Sequence, residues 1–211
     1  MTTRPLPPAL ADRLAHEIRS PLGVLSGTLA QLSRDEGLAP TSAQLLELAR
    51  RSCVRMDRLS RRLGYLAADG PSDRGPMQMS VLRDWVERAS TETGRKNIDV
   101  QIGPLPGLTL PGRTAAALEV AVDEVVHNAT RHARTRVDVR TRQTEVALTV
   151  LVSDDGRGLP AELVGTTPSA TTDSHSGGLG LGLLVAHRFL EGVDGALKLH
   201  ADRVEIEVPV R

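Results

Sequence analysis

Four stretches of the chain combine residue types and spacings suited to chemistry. In the first, His16-Glu17-Ile18-Arg19-Ser20-Pro21-Leu22, a titratable ring stands beside a carboxylate. The second, Glu124-Val125-Val126-His127-Asn128-Ala129-Thr130-Arg131-His132, puts Glu124, Asn128 and either Arg131 or His132 on one helical face. A carboxylate and an amide oxygen on adjacent turns suit a hard cation such as Mg2+ that keeps several waters and bridges to phosphates, with Arg131 near the anion. The third, Asp154-Asp155-Gly156-Arg157-Gly158, follows an apolar run ending at Val152. A carboxylate at a strand end accepts an amino hydrogen from a base, and glycines let backbone come close to a ligand. The fourth, Gly177-Gly178-Leu179-Gly180-Leu181-Gly182-Leu183, opens a helix whose free N–H groups form an anion site. Each stretch also has a plainer reading: a surface histidine, the polar face of an amphipathic helix, an Asp-Gly turn and a flexible loop.

The elements that carry these residues follow from periodicity. Leu10, Leu14, Ile18, Leu22, Leu25, Leu29 and Leu32 recur at helical spacing, so a helix is expected over 8–32 with His16 opposite the apolar stripe, on a face shared with Ser20, Gly23 and Gly27. Glycines inside a helix are costly, which suggests close approach by another domain there, and Pro21 should bend or loosen the turn. After a turn at 33–41, Leu45, Leu48, Ser52, Met56, Leu59, Leu63 and Leu66 predict a second helix of similar length. A two-helix hairpin cannot cover both stripes, so a homodimer through residues 8–67, forming a four-helix bundle, is expected. The arginines at 50, 51, 55, 58, 61 and 62 read as a solvated face with Glu47 and Asp57 as partners.

Residues 1–7 are expected to be disordered, and the Gly/Pro/Asp break within 68–79 reads as a linker. The rhythm then changes over 80–211. A helix over 80–93 is followed by a strand carrying Ile98, Val100 and Ile102, a short strand at 108–110 and a helix over 114–132. Strands carrying Val137 and Val139, then Val146, Leu148, Val150 and Val152, come next. The pattern vanishes over 159–176, and a helix at 180–190 with strands at 196–200 and 204–208 closes an α+β sandwich with helices on one face of a mixed sheet.

Lys+Arg and Asp+Glu both number 26, and one Trp, one Tyr and one Phe are present in 211 residues. A balanced charge with so few aromatics gives no reason to expect a nucleic-acid partner. No apolar run is long enough to cross a bilayer and no signal peptide is evident, so no direct membrane insertion and a cytoplasmic location are expected. Cys53, the single cysteine, excludes an internal disulfide and reads as packing.

Taken in order, the four stretches resemble the H box, N box and two glycine boxes of the cytoplasmic core of two-component sensor histidine kinases, over roughly residues 8–209. The resemblance implies a dimerisation and phosphotransfer bundle followed by a Bergerat-type ATP-binding domain like those of gyrase, Hsp90 and MutL. It implies autophosphorylation on His16 from ATP, with Glu17 as the base, and transfer to an aspartate in the receiver domain of a response regulator. Asn128 would hold Mg2+ with help from Glu124, Arg131 would contact phosphate with His132 beside it, and Asp154 would read adenine. Gly156, Gly158, Gly178, Gly180 and Gly182 would shape pocket and lid.

The chain also departs from the pattern. No Phe-containing box lies between the glycine boxes, and Glu124 stands where a first Asn is usual. Ser20 occupies the position where Thr or Asn usually supports phosphatase activity. No sensor segment is recognised within the sequence, so input is expected from a partner, or to have been cut away if this is a piece of a longer protein. The main alternative is an ATP-independent phosphotransferase or scaffold that accepts phosphate on His16, which should have lost its glycine boxes. Others are a serine kinase of the anti-sigma-factor type, which needs no His16-Glu17 hairpin, and an ATP-responsive dimer without chemistry.

Overall fold

The computed structural model describes residues 8–34, 40–68, 70–95, 97–168 and 181–211, with 8–17, 20, 21 and 40 by backbone alone. The chain divides between residues 69 and 70 into two compact units.

The first unit is a pair of long helices, α1 (Pro8–Leu32) and α2 (Pro40–Ala67), packed along each other. α1 runs on through Pro21 without a break. At Gly23 and Gly27 an added methyl would meet nothing within 4 Å, so the close approach expected there is not supplied by the described residues. Leu22, Cys53 and Ala67 are buried, whereas Leu25, Leu45, Leu48, Met56 and Leu63 remain exposed. The physical reason is geometric: each apolar stripe spans more of the helix circumference than one neighbouring helix can cover. Glu47 bridges to Arg50 and Arg51, and Asp57 to Arg61, all at i,i+3 or i,i+4 spacing.

The second unit is a five-stranded mixed sheet with three helices packed on its apolar face. Its strands are β2 (Asp99–Ile102), β4 (Arg136–Gln143), β5 (Ala147–Asp154), β6 (Ala196–Leu199) and β7 (Arg203–Pro209), in the order β2-β4-β5-β7-β6. Only β2 and β4 are parallel. Two further strands, β1 (Met77–Gln78) and β3 (Thr109–Leu110), pair antiparallel apart from the main sheet. The helices are α3 (Leu82–Thr91), preceded by a 3-10 turn Met79–Val81, α4 (Gly112–His132) and α5 (Leu181–Glu191).

Strand alternation sorts the side chains. Val137, Val139, Leu148, Val150, Val152, Leu197, Leu199, Val204, Ile206 and Val208 face the helices, meeting Leu118, Val122, Val125 and Val126 of α4 in one core. The other face carries a charged ladder in which Lys198 pairs with Glu207 at 2.7 Å and Arg136 with Asp138 at 2.6 Å. Val146, expected within β5, instead lies in the hairpin before it and is 70% exposed. The turn explains it, since the Thr144 hydroxyl and N–H both engage Ala147 and leave the two residues between them outside the β4–β5 ladder.

Part of the stretch expected as linker is folded onto the second unit. The Asp73 carboxylate accepts the Gly75 N–H at 2.9 Å, and Arg74 and Arg88 both reach Glu119 on α4, at 3.2 and 2.9 Å. Gly112 has no room for a side chain, because a methyl there would overlap Asp73 and the Gly75 backbone.

Candidate functional site

The last turns of α4 carry four of the expected residues. Asn128 is half-buried and Glu124, one turn earlier, is 1% exposed, while Arg131 and His132 stand at the exposed end. The helix stops at Ala133, which turns to φ −52°, ψ 149° while its N–H still closes on the Ala129 carbonyl at 2.7 Å. A helix end leaves carbonyls without intrahelical partners, and here no glycine cap supplies a return. Arg95 does so instead. Its Nη1 donates to the carbonyls of Ala133 at 2.6 Å and Arg131 at 3.0 Å and lies 3.4 Å from that of Thr130. A guanidinium there also complements the negative end of the helix dipole.

The carbonyl left over, that of His132, faces Gly156, where a methyl would overlap it. This contact joins the end of α4 to the end of β5. Asp154 closes β5 on the face that carries Leu148, Val150 and Val152, and its Oδ1 accepts the Gly156 N–H at 2.9 Å. Partial burial pushes the Asp154 carboxyl above the usual carboxylate range, against the opposing effects of the Gly156 bond and the nearby His132. Burial also holds the His132 ring below its ordinary value, helped by the cationic neighbours Arg131 and Arg95 and opposed by Asp154. Burial thus works against the charged form of both groups.

Asp155 points the other way, as strand alternation requires. Its carboxylate accepts the N–H groups of Arg134 at 2.7 Å, Thr135 at 3.0 Å and Arg136 at 3.1 Å, and the Thr135 hydroxyl at 2.6 Å. The Thr135 hydroxyl first, and then these amides, hold Asp155 far below the usual carboxylate range. Gly158 has φ +74°, and a methyl there would overlap the Ala201 carbonyl, which also accepts the Leu159 N–H at 3.0 Å. The close approach anticipated for Gly156 and Gly158 is thus to the protein's own backbone, fastening the turn between α4 on one side and the β6–β7 turn on the other.

Gly182 is buried in the first turn of α5. Gly178 and Gly180 lie outside the described residues, and the structure shows the helix from Leu181. His16, Glu17 and Ser20 fall within α1, with side chains outside the described residues.

Two family models match this chain in order. Residues 9–68 match the His Kinase A phospho-acceptor domain, and residues 114–211 match the histidine kinase-, DNA gyrase B- and HSP90-like ATPase. The chain is a sensor histidine kinase catalytic core. Among curated relatives it is 27% identical over 194 residues to the sensor protein PhoQ of Escherichia coli K12, covering 87% of this chain but 38% of that protein. The kinase core thus spans little more than a third of the relative's length. Among solved structures it is similar to full-length ShkA in complex with AMPPNP, with a TM-score of 0.67, 20% identity and coverage of 97% of this chain and 46% of that one. It also resembles the histidine kinase domain of the blue-light activated kinase EL346 from Erythrobacter litoralis, with a TM-score of 0.51, 20% identity and coverage of 89% and 95%. These likenesses bear out the expected order, a helical hairpin followed by an α/β ATPase domain with a mixed sheet. Among the described residues no helix of the core is long and apolar enough to cross a membrane.

Two residues at the site went unassigned by sequence reasoning, Arg95 and the role of Asp155. For Asp155 a signal existed: two acids in succession at a strand end face opposite ways, so only one of them can face the helices. For Arg95 there was none, since its carbonyl partners lie 35 to 38 positions along the chain.

Proposed function

We propose that this core is an ATP-dependent protein histidine kinase that phosphorylates His16 and passes the phosphoryl group to an aspartate of a response regulator. The observation that carries the nucleotide half is the junction of α4 and β5. A half-buried carboxylate, Asp154, is fixed there near His132, at the end of the helix that carries Asn128 and Arg131, by a glycine turn that tolerates no side chain at Gly156.

Among the described residues no group of three or more His, Cys, Asp or Glu forms a metal cage. The donor set nonetheless fits Mg2+, which takes one or two protein oxygens and completes its shell with water and phosphate. Asn128 and Glu124, both oxygen donors one turn apart, would hold it. When bound, the ion neutralises charge on the polyphosphate. Arg131 lies on the adjoining turn for a phosphate oxygen, and Asp154 accepts the exocyclic amino hydrogen of adenine. The neutral ring nitrogen of His16 attacks the γ-phosphorus as the bond to the ADP oxygen breaks, and Glu17 receives the ring proton. Ser20 would orient water if the core also dephosphorylates its partner.

The exposed apolar faces of α1 and α2 support a homodimer through residues 8–67, and a sensor or input protein would act on that bundle. Incubation with γ-labelled ATP and Mg2+ tests the proposal. Label that is acid-labile and base-stable is expected, falling about a hundredfold or more in Asn128→Ala with the fold retained. Acid-stable label, or unchanged labelling in Asn128→Ala, would refute these assignments.

The Asp154 carboxyl supplies a second test. Because burial raises its pKa, the ionised form is disfavoured in the folded state at pH values above the unfolded value near 3.8. Asp154→Asn should therefore not lower the melting temperature, since its amide oxygen still accepts from Gly156, yet ADP affinity should fall about tenfold to a hundredfold. Wild-type affinity should also fall with decreasing pH at a higher pH than an ordinary carboxylate would give. Calorimetric titration with ADP that finds equal affinities would remove adenine reading from Asp154.

A further inference from the structure

The turn that joins α4 to β4 is held by two opposite charges, each on the complementary set of backbone groups. Arg95, from the loop after α3, takes the outgoing carbonyls of 130, 131 and 133. Asp155, from the end of β5, takes the incoming amides of 134, 135 and 136 together with the Thr135 hydroxyl. The carbonyl of 132, which Arg95 leaves free, is the one against which Gly156 packs. Within the stretch 130–136, three carbonyls and three amides are thus held from outside the local chain by two side chains. That stretch contains Arg131 and His132, begins two residues after Asn128, and abuts the turn that sets Asp154. We propose that Arg95 and Asp155 are positioning residues for nucleotide binding, a cation on the carbonyls and an anion on the amides of this turn that lock the end of α4 against the end of β5.

The proposal rests on the nucleotide reading of the site, and neither residue is assigned contact with the nucleotide. Its logic is preorganisation: three groups from two elements, Asn128 and Arg131 from α4 and Asp154 from β5, must meet one ligand, and freedom at their junction is lost on binding. Charge-assisted hydrogen bonds are about twice as strong as neutral ones and directional, so one charged side chain holds several backbone groups at once. Arg95 cannot be replaced here by a neutral amide without losing the helix-end charge, and Asp155 cannot be replaced by Asn without turning an acceptor atom into a donor that faces N–H groups.

The test uses the full chain with ADP and Mg2+ as the probe, at temperatures well below the melting transition. Arg95→Gln and Asp155→Asn are each expected to weaken ADP affinity about tenfold. In the labelling reaction the KM for ATP should rise by a similar factor while the rate at saturating ATP stays within about twofold. Arg95→Lys, which keeps the charge, should recover most of the affinity and serves also if Arg95→Gln folds poorly. The double variant should lose less than the product of the two single losses, because both act on one turn. ADP affinity equal to wild type in both single variants, or a loss confined to melting temperature, would overturn the proposal while leaving the nucleotide reading intact. A folded wild-type chain that fails to bind ADP would refute the nucleotide reading and this proposal with it.

Discussion

Replacing His16 by alanine is expected to abolish phosphoryl labelling, by at least about a thousandfold, while ADP affinity stays at the wild-type value. Removal of a nucleophile eliminates the covalent product instead of slowing its formation, so the residual signal should be background. The proposed function assigns the acceptor to one ring. The chain has six histidines. Only His16 lies in the helical unit; the other five are His127, His132, His175, His187 and His200, all in the second. His187 and His200 lie 3.3 Å from the carboxylates of Glu191 and Glu205, and His132 belongs to the proposed nucleotide site. Two controls separate the roles. Glu17→Gln should lower the rate about a hundredfold without abolishing it, since water can take the proton less efficiently than a placed carboxylate. The oligomeric state of His16→Ala should match wild type, because the sequence spacing puts position 16 off the expected apolar stripe. Acid-labile label surviving in His16→Ala would move the acceptor to another histidine and undo the assignment of the hairpin.

Legibility in the sequence followed the range of the interactions. The two long helices were plain because their stripes repeat over many turns, and β5 because Leu148, Val150 and Val152 alternate toward the core. β1 carries no such signal: two residues, Met77 and Gln78, are strand only because Leu110 and Thr109, more than thirty positions away, present free backbone to them. The same holds at the site. Asn128, Asp154 and the glycines declare themselves by type and spacing within single short stretches. What fastens those stretches together does not. Arg95 reads as one more polar turn residue until the end of α4 is seen to lack any other cap, and Ala201 contributes a carbonyl, which no side-chain pattern encodes. Val146 was misjudged for a related reason: alternation predicts which way a strand residue faces but not where the preceding turn, closed by Thr144, hands over to the strand.

Gly156→Ala is the substitution expected to damage fold and site together. A methyl at this position would overlap the His132 carbonyl oxygen and crowd both the His132 carbonyl carbon at 3.0 Å and the Asp154 Oδ1. The two His132 atoms are backbone, and the Asp154 oxygen is the one that accepts the Gly156 N–H. The His132 carbonyl belongs to the last turn of α4, which Arg95 and Asp155 hold on either side, so relief requires the 154–156 turn to move outward. Overpacking against backbone of this kind costs about 1–3 kcal/mol, a lowering of the melting temperature of about 2–4 °C for each kcal/mol in a chain of this size. Outward movement also breaks the Gly156 N–H bond that orients Asp154, so ADP affinity should drop about a hundredfold even where the variant is fully folded. Gly107→Ala provides the contrast. Gly107 has neither a positive φ nor an atom within 4 Å of the added methyl, and its stability should change by less than about 0.5 kcal/mol with ADP affinity unaltered. Urea unfolding followed by ADP titration of the two variants reads both quantities. A Gly156→Ala chain that binds ADP as tightly as Gly107→Ala would show that the turn yields without moving Asp154, and that the carboxylate is placed by β5 alone.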